Sequence, residues 1–355
     1  MGLSIKQRIA LEAERLKRNN LKKLHPLRQL FWESTLRCNL RCLHCGSDCK
    51  VVAETPDMPA EDFLRAVDSI LPHVDRHKLM IIVSGGEPLM RKDLEQVGAE
   101  LLRREVSWGM VTNGMMLTEE RLRGLLKAGM RSVTVSLDGF ETEHNWMRGH
   151  IDSFHNAMRA IGLLARTNLK WDVVTCVNAR TIGYLPELKD MLYEAGVRHW
   201  RLFSIFPVGR AKQNPELQLS NAQFRQLMEF IRDARKEGRI HASYACEGFL
   251  GEYEGEVRDW LYRCSAGISV ASILIDGSIS ACTSIRSHFY QGNIYQDDFW
   301  DVWENRFQNY RNRDWAKQGE CADCKAFRYC EGNGMHLHDD DGNLLVCHLK
   351  RIENK

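Results

Sequence analysis

The sequence contains no long run of apolar residues. Its most apolar short segment, Leu79–Val83, has the length of a single strand, whereas a membrane-spanning helix needs about 20 such residues. The first residues are rich in lysine and arginine and have no apolar core of signal-peptide length. We therefore expect no transmembrane segment and a cytoplasmic location.

Net charge is also nearly absent. The 355 residues include 49 basic and 47 acidic side chains, which leaves a formal net charge of +2. So small an excess predicts no general nucleic-acid partner. A hydrophobic content of 44% and a charged content of 27% are ordinary for a globular protein, and the length allows one large α/β domain with a smaller one beside it.

Cysteine, in contrast, is abundant and unevenly distributed. Of the twelve cysteines, four lie between Cys38 and Cys49 and four between Cys321 and Cys347, and C-x2-C spacings recur. Because no signal peptide is present, this grouping predicts metal or cluster ligation in a reducing compartment rather than a disulfide framework.

The first group has the spacing C-x3-C-x2-C, formed by Cys38, Cys42 and Cys45. It supplies three closely spaced thiolates, whereas a closed zinc site or an ordinary ferredoxin cluster requires four ligands. A [4Fe–4S] cube held by three thiolates keeps one iron open for a substrate or cofactor. The spacing alone leaves a zinc site or three reduced thiols as equal alternatives.

Strand and helix patterns alternate after Leu30, which predicts a parallel sheet covered by helices. Six such units predict a partial (β/α)6 barrel, two units short of a complete TIM-like barrel, with chemistry at the carboxyl ends of its strands. The predicted strands are 30–35, 79–84, 106–112, 132–137, 171–177 and 199–205, and the predicted helices are 59–71, 91–103, 118–128, 152–167 and 181–195.

Polar or cluster-forming residues follow four of the predicted strands. The first strand runs into the cysteine loop, and each of the next three carries a short polar motif. Glycine after a strand often marks only a turn, but four such ends on one rim predict a shared site. The motif residues are Gly85, Gly86 and Glu87 on the second strand, Thr112 and Asn113 on the third, and Ser136 and Asp138 on the fourth.

In this combination the sequence resembles the radical S-adenosylmethionine (SAM) superfamily over about residues 30–210. The resemblance implies a [4Fe–4S] cluster on Cys38, Cys42 and Cys45, with SAM on its open iron. It also implies that the glycine–glycine–glutamate motif contacts the SAM amino group and that Ser136 and Asp138 lie near its ribose and carboxylate. Thr112 and Asn113 complete the set of residues expected near the cofactor on these strand ends.

A further segment, His144–Gly149, resembles the family's H-D-x-x-R-G element, with Asn145 in place of the usual aspartate. The resemblance implies that Arg148 pairs with the SAM carboxylate, because a guanidinium can bind a carboxylate bidentately; an ordinary surface ion pair is the alternative. His44 stands where the family often has an aromatic residue, so we expect it to pack near the adenine or the cluster. Cys49 is expected to be a buried thiol and not a ligand.

The C-terminal cysteines resemble the SPASM extension, which carries auxiliary [4Fe–4S] clusters. Cys264 and Cys282 flank a predicted hairpin around Asp276-Gly277. A C-x2-C-x5-C run and one later cysteine follow, namely Cys321, Cys324, Cys330 and Cys347. As bare spacing this is also compatible with a zinc ribbon.

The match to SPASM lacks one cysteine, because Gly334 occupies its position. By the family's allocation the last four cysteines still form one complete cluster, and only Cys264 and Cys282 remain for a second. That second site is lost, or it recruits Cys246 or His336, or Cys321 and Cys324 join Cys264 and Cys282 in a single cluster. We expect at least one auxiliary cluster.

The chain therefore divides into four predicted parts. A basic amphipathic helix occupies 1–29, with Ile5, Ile9, Ala13 and Leu16 on one face; such a helix packs on its own domain more often than it binds an anionic membrane or a partner. The radical SAM core occupies 30–210, a linker with a helix 211–260, and the SPASM-like domain 261–355.

The resemblance implies reductive cleavage of SAM to a 5′-deoxyadenosyl radical that abstracts hydrogen from a substrate. Enzymes of this architecture mostly modify peptides or proteins, so we expect a peptide or protein substrate, such as a small lipoprotein or a precursor peptide, and an electron donor such as flavodoxin or ferredoxin. The alternatives are a small-molecule substrate in cofactor or natural-product biosynthesis, and a non-catalytic iron–sulfur redox sensor. The retained SAM motifs favour an enzyme, since a sensor needs no SAM site.

Overall fold

The computed structural model describes residues 2–245, 247–285 and 289–353. Cys246, one of the predicted substitute ligands, lies outside the described residues. Within the described ranges no helix has both the length and the apolar character needed to cross a membrane.

A ten-stranded sheet organises the structure, in the order β10-β9-β8-β1-β2-β3-β4-β5-β6-β7. Strands β1 to β7 are parallel to their neighbours, β8 is parallel to β1, and β9 and β10 continue antiparallel. The strands are β1 (Gln29–Thr35), β2 (Met80–Gly85), β3 (Ser107–Thr112), β4 (Met130–Ser136), β5 (Lys170–Val177), β6 (His199–Ser204), β7 (His241–Tyr244), β8 (Val270–Ile273), β9 (Ser278–Ser280) and β10 (Gly292–Asn293).

Helices connect and cover the parallel strands, so the predicted α/β class is confirmed. In the segment 211–260, expected to be a linker with a helix, α8 is followed by β7, a seventh parallel strand of the sheet. The helices are α1 (Ile5–Leu24), α2 (Ala60–Ile70), α3 (Leu94–Arg103), α4 (Glu119–Lys127), α5 (Glu141–Arg148), α6 (Ser153–Leu164), α7 (Leu185–Glu194), α8 (Asn221–Glu237), α9 (Phe299–Asn305), α10 (Gln308–Arg311), α11 (Phe327–Cys330) and α12 (His348–Glu353).

Tryptophans fill the space between the sheet and its helices. Trp32 of β1, Trp108 of β3 and Trp200 of β6 are completely buried. Trp32 stacks on Phe63 of α2 with ring centroids 4.2 Å apart. The indole of Trp108 donates to the carbonyl of Ala128 at 3.0 Å, which satisfies its polar atom inside the core. These rings therefore pack the helices against the sheet.

Helix α1 packs on its own chain, as expected, but not through the apolar face that the sequence displays. Leu11 and Arg18 are its buried residues, and Leu11 belongs to an apolar cluster with residues of the C-terminal domain. Ile5, Ile9 and Leu16 point to solvent instead, with 79%, 67% and 58% of their surface exposed.

Two helical glycines differ in the space around them and permit a paired stability test. A Cβ on Gly98 of α3 would lie 2.4 Å from the Trp108 ring, whereas a Cβ on Gly162 of α6 would meet no atom within 4 Å. We expect Gly98→Ala to destabilise the protein by about 1–3 kcal/mol through overpacking. We expect Gly162→Ala to stabilise it by about 0.5–1 kcal/mol through helix propensity. Thermal unfolding followed by circular dichroism measures both, and an equal gain for the two variants would contradict the packing described here.

Candidate functional site

The cysteine loop follows β1 and is held by backbone hydrogen bonds at several points. The Cys38 amide donates to the Lys50 carbonyl at 2.8 Å, which closes the loop, and the Leu43 amide donates to Met147 of α5 at 2.8 Å. Cys38 and Cys42 are buried and Cys45 is partly buried. Strand β1 thus delivers all three thiols to one place at the carboxyl edge of the sheet, as predicted.

Arg210 fixes the far side of this loop. Its Nε donates to the Cys42 carbonyl at 2.7 Å, and its Nη1 donates to the Asp48 carboxylate at 2.6 Å and to the Cys49 carbonyl at 3.0 Å. Its backbone amide donates to the Cys45 carbonyl at 3.0 Å. Arg210 therefore braces the cysteine loop at Cys42, Cys45, Asp48 and Cys49.

The three thiols line a cavity of about 120 Å³ together with most of the residues that the motifs singled out. Two of those residues, Glu87 and Asp138, are not among the residues that line it. The described lining consists of Cys38, Leu40, Cys42, His44, Cys45, Cys49, Gly85, Gly86, Val111, Thr112, Asn113, Ser136, Arg148 and Arg210. His44 lies beside the three cysteines in this cavity, and Cys49 is buried, as expected for each.

Gly85 and Gly86 are required by the close approach of two backbones. A Cβ on Gly85 would lie 2.2 Å from the Thr35 carbonyl oxygen, and a Cβ on Gly86 would lie 2.2 Å from that of Arg37. Gly85 also has φ of 128°, which favours glycine. The backbone at the end of β2 therefore contacts the backbone at the start of the cysteine loop directly, with no side chain between them.

Glu87 links two strand ends from behind the cavity. One carboxylate oxygen accepts hydrogen bonds from the Thr112 hydroxyl at 2.7 Å and the Leu89 amide at 3.1 Å, and the other accepts from the Asn113 amide at 2.7 Å. Burial raises the pKa of Glu87, and these hydrogen bonds oppose that rise. Both oxygens are occupied by protein donors, so in this structure the carboxylate positions Thr112 and Asn113.

Asp138 and Arg148 form a buried pair next to Cys42. Asp138 Oδ2 lies 2.7 Å from Arg148 Nε, and Arg148 Nη1 lies 3.8 Å from the Cys42 sulfur. Burial by itself would raise the pKa of Asp138, but the Arg148 charge holds it below its usual range. Arg148 is thus no surface ion pair, since its side chain is 9% exposed.

Cys176, at the end of β5, joins this group although no motif singled it out. Its backbone amide donates to Asp138 Oδ1 at 2.9 Å, and its thiol lies within 4.8 Å of ligand atoms of Asp138 and His44. Burial raises the pKa of the Cys176 thiol well above its usual value. Strand position was the available signal, because the carboxyl ends of parallel strands share one edge.

Asn145 has a structural role in place of the family's aspartate. Its Oδ1 accepts from the Ser153 hydroxyl at 2.8 Å and from the Phe154 amide at 2.9 Å at the start of α6. Its Nδ2 donates to the Ile151 carbonyl. The amide both accepts and donates at this position, whereas an ionised carboxylate could only accept, so asparagine suits these contacts.

The spacing of the cysteine sulfurs is unsuited to a single zinc ion. Among the described residues, the only three ligand atoms of His, Cys, Asp or Glu within 4.8 Å of one another belong to His44, Asp138 and Cys176. Four thiolates on one zinc lie about 3.8 Å apart, from a Zn–S bond of about 2.3 Å and tetrahedral geometry. The Cys38, Cys42 and Cys45 sulfurs are not all within 4.8 Å of one another, and as three soft sulfur donors they fit an iron–sulfur cluster.

Four of the C-terminal cysteines form a second group. The pKa of Cys321 is raised to about 11 by burial and by the nearby thiols of Cys347 and Cys324. Burial likewise raises the pKa of Cys330, with Cys347 and Cys321 adding to the effect. These mutual effects place the four sulfurs near one another, which is the set expected for one complete cluster.

Cys264 and Cys282 are not members of that expected set, although Cys264 packs against the same apolar cluster as Cys324, Cys330 and Cys347. The position of the missing cysteine is closed. Both thiols are close enough to Tyr310 to raise its pKa. A Cβ on Gly334 would lie 2.6 Å from the His336 ring and 2.8 Å from the Glu247 carbonyl oxygen. The His336 ring lies 4.7 Å from that of Phe206. No side chain fits at Gly334 while His336 stays in place.

Two glycines, Gly86 after β2 and Gly46 in the cysteine loop, provide a test of the site geometry. We expect Gly86→Ala to weaken SAM binding at least tenfold after anaerobic reconstitution, because its Cβ pushes the end of β2 away from the cysteine loop. Gly46→Ala is the matched control, since a Cβ there meets no atom within 4 Å. Equilibrium dialysis with labelled SAM measures both. Equal SAM binding by the two variants would show that the close contact at Gly86 does not shape the cavity.

Iron content tests how the C-terminal cysteines are divided among auxiliary clusters. We expect Cys347→Ala to lose about four irons relative to the wild-type protein, whereas Cys264→Ala retains the wild-type iron content. The Cys38→Ala/Cys42→Ala/Cys45→Ala variant should lose a separate set of about four. If Cys347→Ala kept the wild-type iron content while Cys264→Ala lost about four irons, the complete four-cysteine set would be wrong. Equal losses by the two variants would instead indicate a second auxiliary cluster that uses Cys264.

Comparison with known proteins bears on the identity of the chain. The model of the radical SAM superfamily matches residues 32–192, and the model of an iron–sulfur cluster-binding domain, SPASM, matches residues 264–325. The AdoMet-dependent heme synthase of Methanosarcina barkeri is 27% identical over 340 residues, which cover 90% of this chain and 94% of that protein. Mycofactocin maturase MftC of Mycobacterium tuberculosis is 28% identical over 311 residues, covering 86% and 78%.

A solved structure shows the same fold. Native anSMEcpe with bound AdoMet and Cp18Cys peptide superimposes with a TM-score of 0.70 at 19% identity, covering 92% of this chain and 94% of that one. The two family models together match more than half of the 355 residues. These two family models imply SAM and a [4Fe–4S] cluster in the core and auxiliary iron–sulfur clusters in the C-terminal domain. The chain therefore belongs to the radical SAM superfamily and is a radical SAM enzyme with a C-terminal SPASM domain.

Proposed function

We propose that this enzyme cleaves SAM reductively and removes a hydrogen atom from a peptide or protein substrate. In this proposal Cys38, Cys42 and Cys45 ligate the SAM-binding cluster. The observation that carries it is the convergence of these three thiols on a cavity that the Gly85-Gly86 backbone and Arg148 also line. Cys321, Cys324, Cys330 and Cys347 are the proposed ligands of an auxiliary [4Fe–4S] cluster.

When bound at a cluster that has received one electron, SAM supplies the 5′-deoxyadenosyl radical that takes hydrogen from the substrate. The electron is proposed to come from a small donor protein such as flavodoxin or ferredoxin. The polypeptide contributes binding, orientation and exclusion of water, and the burial of its polar strand ends suits all three tasks.

Arg148 supplies positive charge where negative charge accumulates. It lies beside the Cys42 sulfur and lines the cavity, while Asp138 holds its Nε. We propose that it offsets the charge of the thiolates and binds the carboxylate of SAM. A guanidinium fixed by a buried partner keeps one orientation, which lowers the entropy cost of binding a carboxylate.

Gly85 and Gly86 are proposed to present backbone to the SAM amino group. Neither residue has a side chain, and both line the cavity. Glu87 is proposed to act indirectly, since its two oxygens already accept hydrogen bonds from Thr112, Leu89 and Asn113. Ser136 lines the same cavity and is proposed to contact the ribose or carboxylate.

A peptide or protein substrate is supported by the similarity to mycofactocin maturase and by the fact that enzymes of this architecture mostly modify peptides or proteins. That relative is 28% identical over most of this chain. A second candidate substrate is a tetrapyrrole, because relatives named as heme, Fe-coproporphyrin III and pre-heme d1 synthases match equally long stretches at 24–27% identity. The two candidates differ in size and in sensitivity to protease, which makes them separable.

Deuterium transfer into 5′-deoxyadenosine identifies the class of hydrogen donor. The reconstituted enzyme is incubated with SAM, a reductant and extract from perdeuterated cells of the native host, after separation into macromolecules and small molecules. We expect mass spectrometry to find deuterated 5′-deoxyadenosine with the macromolecular fraction, and we expect protease treatment of that fraction to abolish the signal. Iron coproporphyrin III added alone serves as the tetrapyrrole probe.

The Cys38→Ala/Cys42→Ala/Cys45→Ala variant is the control and should form no 5′-deoxyadenosine. Deuterium transfer from the small-molecule fraction, or stimulation by iron coproporphyrin III, would replace the peptide proposal by the tetrapyrrole or another small molecule. Formation of 5′-deoxyadenosine by the triple variant would refute the assignment of the cluster ligands.

A further inference from the structure

Helix α1 exposes an apolar stripe along its whole solvent side. Ile5, Ile9 and Leu16 follow helical spacing and are 79%, 67% and 58% exposed. These values stand out because single aliphatic side chains on a surface are usual, whereas three aligned on one helix face are not. The residues that bury α1 lie on the opposite side.

The stripe is held rigidly in this orientation. Arg18 donates to the carbonyls of Tyr329 at 2.6 Å and Arg328 at 2.8 Å, both of which lie within α11. Ser4 and Gln7 form a capping box at the N-terminus of the helix. Rotation of α1 to hide the stripe would remove Arg18 from these two carbonyls and Leu11 from its apolar cluster.

Charge is divided between the two sides of the helix. Both acidic residues are paired within the protein: Glu12 with Arg15 at 2.9 Å, and Glu14 with Arg263 at 2.6 Å. On the exposed side the stripe is bordered by cations that have no ion pair with any residue in the described ranges. These cations are Lys6, Arg8, Lys17 and Lys23.

We propose that α1 docks this enzyme on the surface of an anionic bilayer. A helix of 20 residues is about 30 Å long, and its apolar centre with cationic borders fits the boundary between acyl chains and anionic headgroups. Lysine and arginine side chains can extend toward the headgroups while their methylene groups cover apolar surface. The helix lies on the membrane and does not span it, and it brings the C-terminal domain, against which it packs, toward the bilayer.

Co-sedimentation of the full-length enzyme with vesicles tests the proposal. We expect binding to vesicles of phosphatidylcholine with 25% phosphatidylglycerol at low salt, weak binding to pure phosphatidylcholine, and release at about 0.5 M salt because screening is then strong. The Ile5→Ser/Ile9→Ser/Leu16→Ser variant should lose at least about tenfold in vesicle affinity, since it removes the inserting side chains. Lys6→Glu/Lys17→Glu should lose a similar factor, since it replaces two of the cations that attract anionic headgroups.

Matched variants control for general changes in exposed apolar surface and in net charge. Leu102→Ser/Leu126→Ser/Ile151→Ser also removes three exposed aliphatic side chains, and Lys127→Glu/Lys170→Glu changes the net charge equally at exposed positions; both should bind like the wild-type enzyme. Iron content and thermal midpoint verify that each variant is folded. The proposal is wrong if the wild-type enzyme stays in the supernatant with anionic vesicles, as it would if a protein covered the stripe. It is equally wrong if the α1 variants bind no worse than their controls.

Discussion

The contact between the end of β2 and the first residues after β1 is the constraint on which the site depends. The Gly86 amide donates to the Thr35 carbonyl at 2.6 Å, and the Glu87 amide donates to the Arg37 carbonyl at 2.9 Å. These bonds extend the pairing of two parallel strands beyond the sheet, so the cysteine loop starts from a fixed direction. Glycine is the only residue that permits the approach, because any Cβ would overlap a carbonyl oxygen. The register of the sheet is thereby transmitted to three thiols.

Two arginine side chains, Arg148 and Arg210, also hold the cysteine loop in place. Arg148 and Arg210 both contact the cysteine loop at Cys42, Arg148 at the sulfur and Arg210 at the carbonyl. Each arginine has an acidic partner, Asp138 or Asp48. Desolvating a guanidinium is costly unless its hydrogen bonds are satisfied, and here the loop itself provides acceptors. Loop conformation and arginine placement therefore stabilise one another.

Much of this arrangement could be predicted from the sequence, and the remainder depends on three-dimensional partners. Alternating apolar strands and helices predicted the parallel sheet, and the polar strand ends predicted the shared edge, because both signals are local. The bracing role of Arg210 could not be predicted, since it depends on contacts with residues distant in the sequence. The strand end that carries Cys176 was predictable, but its contact with Asp138 was not. Helical periodicity found the apolar stripe of α1 but could not show that Leu11 and Arg18 would be the buried side. The order of predicted helices and strands also gave no sign that β7 extends the sheet.

The environment of Gly334 limits the evolutionary paths open to this protein. A cysteine introduced there alone would place its Cβ 2.6 Å from the His336 ring and against the Glu247 carbonyl oxygen. A cysteine at this position thus requires both the His336 ring and the backbone at Glu247 to move. The cysteine pattern of this domain cannot be completed by a substitution at residue 334 alone.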